Sequence, residues 1–235
     1  MVRYWAVIPA AGSGARMGSP IPKQYLALAG HTVIEHVLGI LEADPHVAGV
    51  TVAVAGDDPY WQRYLLGPRE KPVRIATGGE TRAHSVLNAL ISLRDELKPD
   101  DWVLVHDAAR PCLHPRDLSL LIQTLGADPV GGILARRVPD TLKRVNDQQQ
   151  VTATLDRGDV WRAFTPQMFR YRLLMEALEA AIRSGDPPTD EASAMERQKH
   201  EVRVLEGRSD NIKITRPDDV ALAEAILAHR ASEGP

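Results

Sequence analysis

Short runs of Val and Ile alternate along this chain with segments whose apolar residues return every three or four positions, and that alternation restricts the fold more than any other feature. Residues 4–8, 47–55, 73–76, 102–105 and 130–134 are of strand length and largely apolar, as strands buried on both faces are. Between them, residues 33–42, 57–66, 81–97 and 115–125 carry the helical period; in the third of these Val86, Leu87, Leu90, Ile91 and Leu93 share one side. Strand and helix in repeated alternation predict an α/β fold, a Rossmann-like, mostly parallel sheet with helices on both faces. Right-handed crossovers then set the loops that follow the strands along one edge, where ligands of such folds bind.

At 235 residues the chain is long enough to bury a full core, and it reads as one domain, 1–235. Cys112 is its only cysteine, so an intrachain disulfide or a cysteine-based zinc site is ruled out and a reducing compartment fits. The opening MVRYWAVIPAAG has too short an apolar stretch for a signal peptide or anchor, which predicts a cytoplasmic protein with no membrane partner. With 28 basic residues against 31 acidic, the formal charge of -3 offers no general positive field for a nucleic-acid backbone. An anionic ligand must therefore be held by local cations.

Residues 136–159 break the pattern. They are polar and hold two β-like stretches, 141–145 and 151–155, around Asn146-Asp147-Gln148-Gln149-Gln150, which predicts a β-hairpin arm inserted in the α/β fold. A lone hairpin is marginal in water, and Val151, Ala153 and Leu155 give this one an apolar face. If the arm projects, that face needs a second surface, most simply the same arm of another subunit in a homodimer; the alternative is a hairpin folded back on its own domain. A helix over 171–183, a turn at Asp186-Pro187-Pro188, a short helix from Asp190, a strand over 202–205 and a last helix over 217–229 follow.

Directly after the first strand comes Ile8-Pro9-Ala10-Ala11-Gly12-Ser13-Gly14-Ala15-Arg16-Met17-Gly18. Small residues let backbone approach a ligand, and turn amides can donate to phosphate oxygens. Three known loops fail here. A Walker A loop needs Gly-Lys-Ser/Thr where Gly14 precedes Ala15 and Arg16; the dinucleotide fingerprint needs a small residue at Met17; a Gly-x-Ser-x-Gly elbow is absent. Arg16 within the turn and Lys23 just beyond it, in Pro22-Lys23-Gln24, place two cations beside those amides, which suits a polyphosphate.

PAAGSGARMG followed by PKQYL resembles the nucleotide-binding signature of the sugar-nucleotidyltransferase superfamily. The strings GGETRAHSV, VLVHDAARPC, DTLKR, TPQ, TDEASAME and EGRSDNIKITRPDD narrow the resemblance to the 2-C-methyl-D-erythritol 4-phosphate cytidylyltransferase family. The resemblance implies a CTP site over Ala10, Ala11, Gly12 and Gly14, with Gly79, Glu80 and Ser85 at the cytosine and Ala108 bordering the nucleotide. It also implies that Asp107, which with Arg110 stands at the ligand-bearing edge of the fold, orients a polyol phosphate. Lys213 and Thr189 resemble the family's residues for the phosphate of that second substrate, and Thr165 matches a position near it. Thr141 and Arg157, on the arm, resemble residues that reach a partner subunit's site. The expected cofactor is Mg²⁺ or another divalent cation, held mainly by substrate phosphates.

The residues themselves support less specific readings. His106 is expected to be a hydrogen-bonded structural residue, since no second His or Cys stands at metal-ligand spacing. Cys112 is expected to be small and semi-buried, Thr81 and Thr189 are candidate helix caps, and residues 211–215 read as a strand before a helix opened by Pro217. No paired nucleophile and base is evident, and a phosphate monoester, mostly a dianion near neutral pH, needs none. The expected chemistry is in-line attack on the α-phosphorus, with Arg16, Lys23 and Lys213 as catalytic cations and Arg157 beside the acceptor phosphate. Three rivals are a cytidylyltransferase for another alditol phosphate such as ribitol 5-phosphate, a nicotinamide dehydrogenase, and a CTP-binding regulator without activity.

Overall fold

The chain is described by a computed structural model covering residues 2–12, 17–18, 20–61, 69 and 71–233. Alternation along the strands explains the two cores that flank the sheet. In β1 (Tyr4–Pro9), Ala6 and Ile8 face one side of the sheet, where α1 (Val33–Ala43) packs with Ile34, Val37, Leu38 and Leu41. Trp5 and Val7 face the other, against α2 (Arg82–Ile91) with Ala83, Val86 and Leu90. β6 (Trp102–Val105) divides in the same way, Trp102 and Leu104 to the first core and Val103 and Val105 to the second. Strands buried on both faces read as continuous apolar runs for this reason.

Two short strands, β2 (Ala27–Leu28) and β3 (His31–Thr32), pair beside α1, whose first turn is closed by Thr32 amide and hydroxyl donating to the Glu35 carboxylate, 2.6 and 2.8 Å. The remaining elements are β4 (Val47–Val54), β5 (Val73–Thr77), α3 (Pro115–Leu125), β7 (Gly131–Arg137), β8 (Leu142–Val145), β9 (Val151–Leu155), β10 (Trp161–Arg170), α4 (Tyr171–Arg183), α5 (Glu191–Arg197), β11 (Arg203–Glu206) and α6 (Asp218–Glu233). The seven-stranded sheet runs in the order β11-β7-β10-β6-β1-β4-β5, parallel except for β10, which is antiparallel to β6 and β7. The mostly parallel α/β architecture expected from the alternation is thus present. β8 and β9 form a separate antiparallel hairpin, mostly exposed. Among the described residues no helix is long and apolar enough to cross a membrane.

Several local readings need correction. β10 was not foreseen: Pro166 and the polar residues of 161–170 disguise a strand that holds the middle of the sheet. The helix expected over 81–97 ends at Ile91; Leu93 and Leu97 stay buried, but on turns that continue the apolar spacing without the helix. Residues 211–215 join no sheet. Their backbone is fixed instead by Ile214 N donating to Ala109 O at 2.8 Å and by Arg110 Nη1 donating to Asn211 O at 2.7 Å. The cap of α5 is Asp190, not Thr189: Asp190 Oδ1 accepts from Ser193 N at 2.9 Å, and Ser193 Oγ accepts from Asp190 N. Residues 62–66 of the helix expected over 57–66 lie outside the described residues.

Candidate active site

The carboxyl ends of β1, β5 and β6 come together at one edge of the sheet and enclose a cleft of about 210 Å³. Ala10, Ala11 and Gly12 form one wall, drawn in by Ala10 N donating to Ala53 O at 2.7 Å. Gln24, only 4% exposed, holds the far side of this turn, donating through Nε2 to Ala10 O at 2.7 Å and Gly12 O at 3.3 Å. Gly14 and Arg16 lie outside the described residues.

Gly79, Glu80 and Ser85 form the facing wall, at the start of α2. The Gly78 amide donates to Val54 O at 2.7 Å and the Gly79 amide to Ser85 Oγ at 3.0 Å, while Ser85 Oγ donates to Thr81 O at 3.1 Å. The Gly78 amide is therefore committed to the end of β4 and the Gly79 amide to Ser85. What glycine provides here is closeness: a Cβ on Gly78 would stand 2.2 Å from that of Ala11, and one on Gly79 2.4 Å from that of His84. Thr81 caps α2, accepting from His84 N at 3.4 Å, as expected.

The floor is ionic. Asp107, 6% exposed and next to Ala108 in the cleft wall, receives Arg82 Nε on Oδ1 at 3.0 Å. Its Oδ2 lies 2.8 Å from Lys213 Nζ and 3.5 Å from Arg110 Nε. Burial by itself would raise its pKa, but Arg82, then Lys213 and Arg110, outweigh burial and hold the carboxyl far below the usual carboxylate range. Arg82 turns its other edge to Glu191, Nη1 to Oε1 at 2.7 Å and Nη2 to Oε2 at 3.0 Å. Lys23 enters from the opposite side, and its Nζ donates to Ile214 O at 3.1 Å. Lys23 is thus held on the residue next to Lys213, and Lys213 on Asp107.

Behind the floor, β10 supplies the hydroxyl that fixes the Asp107 backbone: Thr165 Oγ1 accepts from Asp107 N at 3.0 Å. His106 is fully buried, with Nε2 3.0 Å from Arg110 O and Nδ1 3.0 Å from Thr165 Oγ1. A carbonyl only accepts, so Nε2 carries the proton and Nδ1 accepts from the Thr165 hydroxyl. Burial pushes this imidazole down to about 4, and it is a structural residue as expected. Cys112 is wholly rather than partly buried, and burial pushes its thiol up to about 11, away from nucleophilic use.

The cleft therefore gathers most of the residues singled out in the sequence, with Arg110 and Thr165 one layer behind. Thr189 is exposed outside it. Thr141 and Arg157 stay on the arm, where Arg157 donates to Pro139 O, and this chain does not bring them to its own cleft. Sequence reading missed Gln24, Arg82, Glu191 and Asn211. Only Gln24 had a local signal, as the neighbour of Lys23; Arg82 and Glu191 meet across 109 positions.

A family model described as 2-C-methyl-D-erythritol 4-phosphate cytidylyltransferase, IspD, matches residues 4–229. A Pseudomonas putida (strain GB-1) protein of that name is 53% identical over 220 residues, 92% of each chain. One from Aromatoleum aromaticum is 48% identical over 233 residues, 98% of this chain and 97% of that one. The crystal structure of a Francisella tularensis 2-C-methyl-D-erythritol 4-phosphate cytidylyltransferase superposes with a TM-score of 0.81 at 36% identity, over 95% of this chain and 99% of that one. A crystal structure of a 4-diphosphocytidyl-2C-methyl-D-erythritol synthase gives 0.84 at 38% identity, over 97% and 99%. The family match takes in every residue of the cleft, and the chain belongs to the 2-C-methyl-D-erythritol 4-phosphate cytidylyltransferase family.

Proposed function

We propose that this cleft works by fixed charge and alignment, with the CTP triphosphate over the turn after β1 and the acceptor phosphate over Lys213. The reaction joins CTP to 2-C-methyl-D-erythritol 4-phosphate in isoprenoid precursor synthesis, releasing pyrophosphate. An oxygen of the acceptor phosphate forms a bond to the α-phosphorus of CTP, and the bond from that phosphorus to the bridging oxygen of the β-phosphate breaks, its electron pair leaving with pyrophosphate. The nucleophile arrives ionised, so no side chain has to remove a proton.

The observation that carries this reading is that Lys23 is tethered to the residue next to Lys213: Lys23 Nζ donates to Ile214 O, while Lys213 Nζ is held by Asp107. Two ammonium groups each fixed by the fold can meet two anions in a set geometry, which is the alignment that in-line attack needs. Arg16 belongs with them by its place in the glycine turn. The facing walls, with Gly79, Glu80, Ser85 and Ala108, suit the nucleoside, and Asp107, with Arg110, Thr165 and Thr189, is assigned to the polyol phosphate on the family resemblance.

A divalent ion fits this donor set only through the substrate. No group of three His, Cys, Asp or Glu converges among the described residues, and Asp107 already holds three cations, so Mg²⁺ would be held by phosphate oxygens. When bound it would offset negative charge on the triphosphate.

The reading includes a homodimer in which the arm carries Thr141 and Arg157 to the partner's acceptor phosphate, since this chain leaves both residues on its own arm, away from its own cleft. A cytoplasmic location completes it, in keeping with the single buried thiol.

The test is a pyrophosphate-release screen of four nucleoside triphosphates against several polyol phosphates. Release is expected with CTP and 2-C-methyl-D-erythritol 4-phosphate. Faster release with ribitol 5-phosphate would overturn the acceptor assignment, and CTP binding without release in any pairing would overturn the catalytic one.

A further inference from the structure

Glu191 takes no part in the mechanism above, yet it is 0% exposed and both its carboxylate oxygens are occupied by Arg82. It stands at the first position of α5, whose start is fixed by the Asp190 cap and by Ala192 N donating to Gln167 Oε1 at 2.8 Å. Arg82 meanwhile gives Nε to Asp107 Oδ1, leaving Oδ2 for Lys213. A continuous series of charge-assisted hydrogen bonds thus runs from α5 through Arg82 and Asp107 to a lysine of the cleft. Stability is a poor reason for it, since a buried ion pair replaced by apolar residues is often no less stable. Geometry is a better one: a guanidinium fork seated on a carboxylate has one orientation, and that orientation sets the rotation of Asp107.

We propose that Glu191 is a positioning residue for the transfer reaction, locking Arg82 so that Asp107 presents its free oxygen to Lys213. This rests on the reading of Lys213 as the cation at the acceptor phosphate.

Glu191→Gln keeps the shape but removes the charge and one of the two accepting oxygens. Arg82 loses half its seat, and Lys213 is displaced through Asp107. Lys213 is read at the acceptor phosphate and not at the triphosphate, so the hold on CTP does not weaken and the damage falls on kcat. Small misplacements of aligned groups cost up to roughly a hundredfold in rate. Glu191→Gln is therefore expected to lower kcat by roughly tenfold to a hundredfold, with KM for CTP within about threefold of the parent. Because Glu191 acts through Arg82, the Arg82→Ala/Glu191→Gln double variant should be no slower than Arg82→Ala alone.

Turnover within twofold of the parent in folded Glu191→Gln, or losses that multiply in the double variant, would overturn the proposal. Should Glu191→Gln fail to fold, Arg82→Lys decides the matter. It keeps the charge without the fork and should show the same fall in kcat; parental turnover would overturn the proposal. Lys213→Ala, measured alongside, separates the two layers of argument. If it retains parental turnover, the underlying reading fails; if it is slow while Glu191→Gln is not, only the positioning role fails.

Discussion

The floor of the cleft and the hairpin arm both carry cations but hold them in opposite ways. Under the cleft, Arg82, Arg110 and Lys213 are fixed on Asp107, and Arg82 also on Glu191, all within a wall packed between β6, β10 and α5. On the arm, Lys143 donates to Thr154 Oγ1 at 2.6 Å and Arg157 to a backbone carbonyl, both in exposed positions. The first arrangement has its dipoles set before substrate arrives, which is where electrostatic catalysis draws its strength. The second is open to solvent on both of its exposed cations. Under the cleft three cations share one buried carboxylate, while on the arm they are left at the surface.

The largest expected effect is at the centre of the floor. Asp107→Ala leaves three cations without their shared counter-charge, and breaking one side of such a buried pair costs about 3–5 kcal/mol. Chemical denaturation should show that loss together with a collapse in turnover; a variant of parental stability would mean that the floor is not preorganised by this carboxylate. Lys23→Ala comes next. It should lower kcat by about a hundredfold or more, as removal of one charge-stabilising donor does, with the circular-dichroism spectrum unchanged. Near-parental turnover would remove Lys23 from the mechanism.

The layer behind the floor adds a pH dependence. His106 has its pKa lowered from 6.5 to about 4 by burial, so the fold binds a proton there less readily than the unfolded chain. Its contribution is complete above about pH 6.5 and falls away as pH drops toward 4, by about 3 kcal/mol in all. Stability measured from pH 7 to 4 should decline across that window, and His106→Asn should flatten the decline. An equal slope in both proteins would place the acid sensitivity elsewhere.

How far these regions were legible in the sequence follows from how local their causes are. β1, β4 and β6 are written in consecutive apolar residues, and the arm in a polar insertion with a turn at its tip, so a short window suffices for each. β10 was hidden because Pro166 and Arg162 contradict the pattern of a central strand, although neighbours on both sides supply its hydrogen bonds. Residues 211–215 alternate like a strand but are held by Ala109 and Arg110, which no window around them contains. The site divides in the same way. Lys23, Asp107 and Lys213 sit in recognisable strings, whereas the Arg82 to Glu191 pair exists only after the sheet has brought α2 and α5 together.

The arm offers tests of the other half of the comparison. If Arg157 serves the partner's site, Arg157→Ala and Lys213→Ala chains, each inactive alone, should recover about a quarter of parental activity when mixed. Half of the dimers are then mixed, and each of these keeps one site with both cations. No recovery in verified heterodimers would return Arg157 to its own subunit. The smallest effect belongs to Val151, 62% exposed at the start of β9. Within one chain it touches too little to matter, so Val151→Ser should change monomer stability by no more than about 0.5 kcal/mol. Covered by a second arm, the two copies of this side chain together would contribute about 1.5 kcal/mol or more, and their loss would raise the dimer dissociation constant about tenfold. Sedimentation of both proteins over a dilution series measures the difference. Identical dissociation curves would mean that the apolar face of the hairpin is not where two copies meet.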